Sequence, residues 1–182
     1  APADAREEPH IRFGLLAVKN LGRGMIAELV REREENGVYR SFYDFCRRLS
    51  VCREFNRRAL DSLIRCGALD GLGLNRRQML ENADAVIDQL DDANRRNVEG
   101  QLGFFDSPDA DGFSEPAFAQ VPELPYAELL AMEKETTGLY LSGHPLAPYA
   151  AFYQTGRLAR IDRILGAAEE EDGDYTDGAV VT

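Results

Sequence analysis

The stretch "NRRALDSLIRCGALDGLGLNRRQML", residues 56–80, decides the fold. Asn56 opens it as an N-cap, and Leu60, Leu63 and Ile64 recur at the spacing of one helical face. The pattern breaks at Gly67-Ala68-Leu69-Asp70-Gly71, where two glycines and an aspartate favour a tight turn. It restarts after Asn75, a second N-cap, into a helix expected from about Arg76 to Arg96. That helix places Met79, Leu80, Ala83, Val86, Ile87 and Leu90 on one side. The order is helix, short turn, helix.

Upstream the arrangement repeats. "IRFGLLAVKNLGRGMIAELVREREENG", residues 11–37, reads as two helical stretches around a break. Phe13, Leu16 and Ala17 form one short apolar face, and Met25, Ile26, Leu29 and Val30 form the next. Between them, Asn20-Leu21-Gly22-Arg23-Gly24 holds three residues that tolerate positive φ. Gly37 suits the C′ position of the second stretch. Ser41 then caps a short helix, with Asp44 as a capping-box partner and Phe42, Phe45 and Leu49 turned inward. Residues 11–97 are therefore expected to be an all-α module of two helix–turn–helix units, preceded by a polar lead-in over 1–10.

From about 98 to 122 the periodicity stops, and Gly, Pro and Asp dominate, as in a linker. "ELPYAELLAMEKETTG", 123–138, reads as a further helix with Pro125 in its first turn, Leu129, Leu130 and Met132 inward, and Gly138 as its stop. A turn at Gly143–Pro145 and another short helix follow, completing a segment 123–166. Residues 167–182 are expected to be an acidic tether ending in "AVVT", which looks like the opening strand of a further fold. A start on Ala1 and a polar first decade suggest a piece of a longer protein.

The totals exclude several classes. No run of about eighteen apolar residues exists to span a membrane. Cys46, Cys52 and Cys66 are odd in number and lack zinc spacing, so they read as buried or half-buried thiols in a reducing cytoplasm. No phosphate-binding loop, dinucleotide fingerprint or metal spacing appears. Glu133, Glu135 and the acidic run at 169–172 read as solvated carboxylates, and His144 lacks a nucleophile at a suggestive spacing. Neither a catalytic site nor a cofactor is expected within the segment itself.

The net charge of −11 is unevenly placed. Residues 1–101 hold 17 Lys and Arg against 17 Asp and Glu, whereas 102–182 hold 4 against 15. Within 47–77, eight arginines face three acids, a local +5 that could meet phosphates. Helix–hairpin–helix units are often architecture alone. Backbone amides at a hairpin and helix N-terminus can nevertheless grip a phosphate without reading a base.

"EGQLGFFDSPD", residues 99–109, puts two phenylalanines and a leucine in a loop composition. They are either a local tuck against neighbouring helices or a linear peptide for a partner's apolar groove. In the second case Gln101 supplies directional hydrogen bonds and Leu102, Phe104 and Phe105 are anchors.

"IRFGLLAVKNLG", "FYDFCRRL", the 56–80 stretch, "GQLGFFD" and "AMEKETTGLYLSGHPLAPY" together resemble the alpha subunit of bacterial replicative DNA polymerase III, in the same order, over roughly residues 10–182. The resemblance implies the region after the fingers: a tandem helix–hairpin–helix module, an internal sliding-clamp-binding peptide and the lead-in to an OB domain. Polymerase activity in that family belongs to palm residues absent here. By the same resemblance, Asn20, Leu21 and Gly22 match the first DNA-binding hairpin, and Gly67, Ala68, Leu69 and Asp70 match the second. Arg23, and Arg76 with Arg77, start the helices after them and add charge-assisted bonds to phosphate. Gln101, Leu102, Phe104 and Phe105 match the clamp peptide. Asn20 stands where a hairpin usually has its first glycine, and Phe104 where the peptide usually has leucine. The implied partners are the DNA backbone, the sliding clamp and other domains of the polymerase and replicase, with no membrane. The same segment of an error-prone relative, or a purely structural interdomain module, are the competing readings.

Overall fold

The computed structural model describes residues 13–98, 116–154 and 161. These residues are helical, with no strand among them. In chain order they form α1 (Arg23–Asn36), α2 (Phe42–Leu49), α3 (Arg57–Arg65), α4 (Arg76–Val98), α5 (Tyr126–Thr137) and α6 (Ala150–Gln154). Two 3-10 turns, Leu15–Ala17 and Ala147–Tyr149, complete the set. The chain divides into two units, Ala1–Leu141 and Ser142–Thr182. The acidic tether and the terminal "AVVT" lie outside the described residues, as does the lead-in 1–10.

Local chemistry sets the boundaries of the helices. Ser41 Oγ accepts from the Asp44 amide at 3.1 Å, while the Asp44 carboxylate takes the Arg40 amide at 3.0 Å. Asn56 Oδ1 accepts from the amides of Arg58 and Ala59. Asn75 and Gln78 cap α4 reciprocally: Asn75 Oδ1 takes the Gln78 amide at 2.8 Å, and Gln78 Oε1 takes the Asn75 amide at 3.1 Å. Gly138 ends α5 in the left-handed conformation.

These helices bury a single core in the first unit. Phe42, Phe45, Leu49, Leu60, Leu63, Ile64, Met79, Val86 and Leu90 are all buried within it. Each such side chain contributes about 1.5–3 kcal/mol on burial. Helix α3 lies centrally, packed on both α4 and α5. Truncating Leu60 to alanine would cost about 2–5 kcal/mol.

Three expectations need correction. Phe13, Leu16 and Ala17 do not form a buried helical face; Phe13 and Leu16 are exposed, while Val18 is buried. The segment there is one 3-10 turn followed by extended Val18, so the inward direction falls on other residues. Residues 116–122, read as linker, pack on the hairpin unit. The Phe118 ring meets Phe42 edge-on at 6.2 Å, and the carbonyls of Ala119 and Val121 accept from the side chains of Gln78 and Asn75. Glu133, read as solvated, is fully buried. It sits on α5 three residues beyond Leu130 and four beyond Leu129, on the inward stripe.

In the second unit the described residues are a turn and a short helix. The His144 carbonyl accepts from the Ala147 amide at 2.9 Å, and the Leu146 carbonyl from that of Tyr149. Leu146, Tyr149 and Phe152 are exposed.

Candidate functional site

The first hairpin runs from Lys19 to Met25. Asn20 takes φ 63°, a left-handed conformation that asparagine adopts more readily than most residues. Its side-chain amide donates to Ser62 Oγ on α3 at 2.9 Å, which fixes the turn against the core. The Lys19 amide donates to the Thr136 carbonyl at 2.9 Å, tying the turn to the end of α5. Helix α1 then begins. Glu54 caps it from the turn between α2 and α3, accepting from the Met25 amide at 2.7 Å. A Cβ at position 24 would collide with that carboxylate, so the Glu54 side chain would have to move away to admit one. Among the described residues, the amides of Gly22, Arg23 and Gly24 have no hydrogen-bond partner, and all three residues are exposed.

The second hairpin runs from Gly67 to Arg77. The Gly67 and Ala68 amides close the end of α3 onto the carbonyls of Ile64 and Leu63, both at 3.0 Å. Gly67 takes φ 77°, and a Cβ there would collide with the Arg76 guanidinium. Arg76 itself is 5% exposed. Its guanidinium reaches the Asp70 carboxylate at 2.7 Å, the Glu133 carboxylate at 2.9 Å and the Arg65 carbonyl at 3.3 Å. The other Glu133 oxygen accepts from the Leu141 amide at 2.7 Å. Burial works against the Arg76 charge, but the two carboxylates outweigh it, so its pKa lies above the ordinary arginine value.

The N-terminus of α4 is occupied. The Glu123 carboxylate accepts from the amides of Arg76 at 2.9 Å, Arg77 at 3.1 Å and Leu124 at 2.8 Å. Partial burial disfavours the Glu123 charge, yet those three amides outweigh it and hold the carboxyl below the usual glutamate range. With Asn75 and Gln78 capping each other, every amide from Asn75 to Gln78 has an internal acceptor.

The local +5 of the 47–77 window therefore does not survive folding as a patch. Arg47 pairs with Asp44, Arg48 with Glu32 and Asp44, Arg57 with Asp84 and Asp88, Arg65 with Asp61, and Arg77 with Glu81. Several of these acids come from outside the window. Among the described residues, Arg53 and Arg58 of that window are in no ion pair, nor are Lys19 and Arg23. All four are exposed. Arg53 directly precedes the capping Glu54 and so adjoins the first hairpin, whereas Arg58 lines a cleft with Ser50, Ile87, Leu90 and Asp91. Arg76, expected to face phosphate, instead points inward, because it continues the α4 stripe of Met79, Leu80 and Ala83 three, four and seven residues on.

Sequence reading brought out the two hairpins and counted Arg53, Arg58 and Glu54 within the basic window, but it did not mark Lys19, the capping role of Glu54, or Glu123. The pairs Arg65–Asp61 and Arg77–Glu81 were readable as i, i+4 partners. The long-range acids were not. The expected clamp residues Gln101, Leu102, Phe104 and Phe105 lie outside the described residues. Cys46 and Cys66 are buried thiols whose pKa burial pushes up, and Cys52 is half-buried. Among the described residues no His, Cys, Asp and Glu cluster is arranged to hold a metal, and no helix is long and apolar enough to cross a membrane.

Two turns of this kind, each leading from one helical stretch into the N-terminus of the next helix, define a helix–hairpin–helix protein. The helix-hairpin-helix motif family matches residues 2–79. Relatives narrow the assignment. DNA polymerase III subunit alpha of Xylella fastidiosa (strain Temecula1) is 34% identical over 179 residues, which cover 94% of this chain and 15% of that protein. The subunit of Borreliella burgdorferi is 38% identical over 141 residues, 76% of this chain and 12% of the relative. That of Pseudomonas aeruginosa is 32% identical over 194 residues, 96% and 16%. The chain belongs to the DNA polymerase III alpha-subunit family, and it spans about 15% of the length of such relatives.

Proposed function

We propose that this chain holds the DNA backbone, without reading sequence, as a stretch of a bacterial replicative polymerase subunit, and tethers that subunit to its sliding clamp. The observation that carries the DNA reading is the first hairpin: three unpartnered amides at the start of α1, with exposed Lys19 and Arg23 in the turn and exposed Arg53 next to the capping Glu54. Amides and arginines together suit a phosphodiester and are indifferent to base identity. Family membership supports the same reading. The working compartment is then the bacterial cytoplasm.

Three cations give a log–log salt slope near −2.7 on the rule of about −0.9 per phosphate. Fluorescence anisotropy of a labelled duplex against the purified chain, from low to physiological salt, measures it. A flat salt response, or strong preference for one sequence, contradicts backbone binding.

The clamp reading rests on the sequence of Gln101, Leu102, Phe104 and Phe105 together with the family. Large apolar anchors dominate the affinity of short docking peptides. Replacing Phe104 and Phe105 with alanine should remove most binding to the purified clamp and leave the thermal midpoint within error. A lowered midpoint with clamp binding intact would make both rings core residues instead.

A further inference from the structure

The two hairpins differ in one respect that their sequences do not display. We infer that the second hairpin is closed to DNA by the chain's own segment 116–125, so that backbone contact falls to the first hairpin. The inference deepens the DNA reading above and rests on it.

The segment is held at several points. Phe118 meets Phe42 on the core, the Ala119 and Val121 carbonyls receive the side chains of Gln78 and Asn75, and Glu123 lands on the N-terminus of α4. A carboxylate there makes the contacts a phosphate would make: two successive amides at 2.9 and 3.1 Å at the positive end of a 23-residue helix. Nothing remains for an incoming anion. The Arg76 guanidinium is committed to Asp70 and Glu133, and the Arg77 guanidinium to Glu81. A phosphate approaching this end also meets the negative charge of Glu123. The first hairpin has one amide taken, by Glu54, and keeps three amides and its neighbouring cations.

Three variants of the full chain test this against a labelled duplex. Arg23→Glu should weaken binding about five- to tenfold and flatten the salt slope by about 0.9. Arg77→Glu should change affinity less than about twofold. Glu123→Gln, which removes the charge while keeping the shape, should tighten binding about two- to fivefold and steepen the slope by about 0.9. A loss from Arg77→Glu as large as that from Arg23→Glu overturns the closure while leaving the DNA reading intact, as does a Glu123→Gln chain indistinguishable from the parent. A parent without salt-dependent binding defeats the DNA reading itself.

Inorganic phosphate reports on closure independently of DNA. In the parent the amide resonances of Arg76 and Arg77 should stay fixed during a phosphate titration, and in Glu123→Gln they should move. Movement in the parent overturns the inference, including in the case where Glu123→Gln folds poorly.

Discussion

The first and second hairpins spend their charges in opposite ways. Both turn on a left-handed residue, Asn20 at φ 63° and Gly67 at φ 77°, and both lead into a helix capped by a distant glutamate. In the second, the polar groups are committed within the fold: Arg76 links Asp70 on the turn to Glu133 on α5, and Glu123 consumes the α4 amides. In the first, one carboxylate satisfies one amide, and the cations around it stay exposed and unpaired among the described residues. Helix α5 touches both, through Glu133 on one side and the Thr136 carbonyl on the other. Two copies of a motif can thus divide labour, one holding the domain together and one facing outward.

The largest effect that would sharpen this contrast comes from the buried ion cluster. Arg76→Ala leaves Glu133 fully buried without its cation and should cost about 3–5 kcal/mol in chemical denaturation. Arg23→Ala, on the exposed hairpin, should stay within about 0.5 kcal/mol. Similar costs for both would erase the distinction.

Next come the turns themselves. Gly67→Ala combines positive φ with a collision against Arg76, so a loss above about 1 kcal/mol is expected. Asn20→Gly relieves the backbone but removes the hydrogen bond to Ser62, and should cost about 0.5–1.5 kcal/mol. Thermal or urea unfolding ranks the two, and the opposite order would mean that the first turn carries the greater structural load.

Much of this architecture was legible in the sequence. Ser41, Asn56 and Asn75 mark helix starts because a short polar side chain can reach the amides two or three residues on. The helical stripes of α3 and α4 were equally readable. What escaped was long-range. Arg76 and Arg77 are neighbours of identical chemistry, and only the rotation of α4 decides that one is buried and the other is not. Residues 116–122 read as linker because their anchors are two backbone carbonyls, which leave no mark in a sequence, and one isolated phenylalanine. Glu133 was taken for solvent-facing because a buried glutamate is rare unless a cation meets it.

The smallest effect is on pH. Because the Glu123 carboxyl is held below its ordinary range, its contribution to stability is complete above the unfolded-state value and is lost as pH falls through the lower folded one. The midpoint of the parent should therefore decline on acidification through the lower carboxylate range more than that of Glu123→Gln. Parallel declines would show that Glu123 does not anchor the segment.

The central claim is that DNA meets the first hairpin and not the second. Amide chemical-shift mapping of the chain against a short duplex tests it in one experiment. The account predicts shifts across Lys19 to Met25 and at Arg53, with Gly67 to Arg77 unmoved. Shifts concentrated at Gly67 to Arg77, with the first hairpin silent, would contradict it.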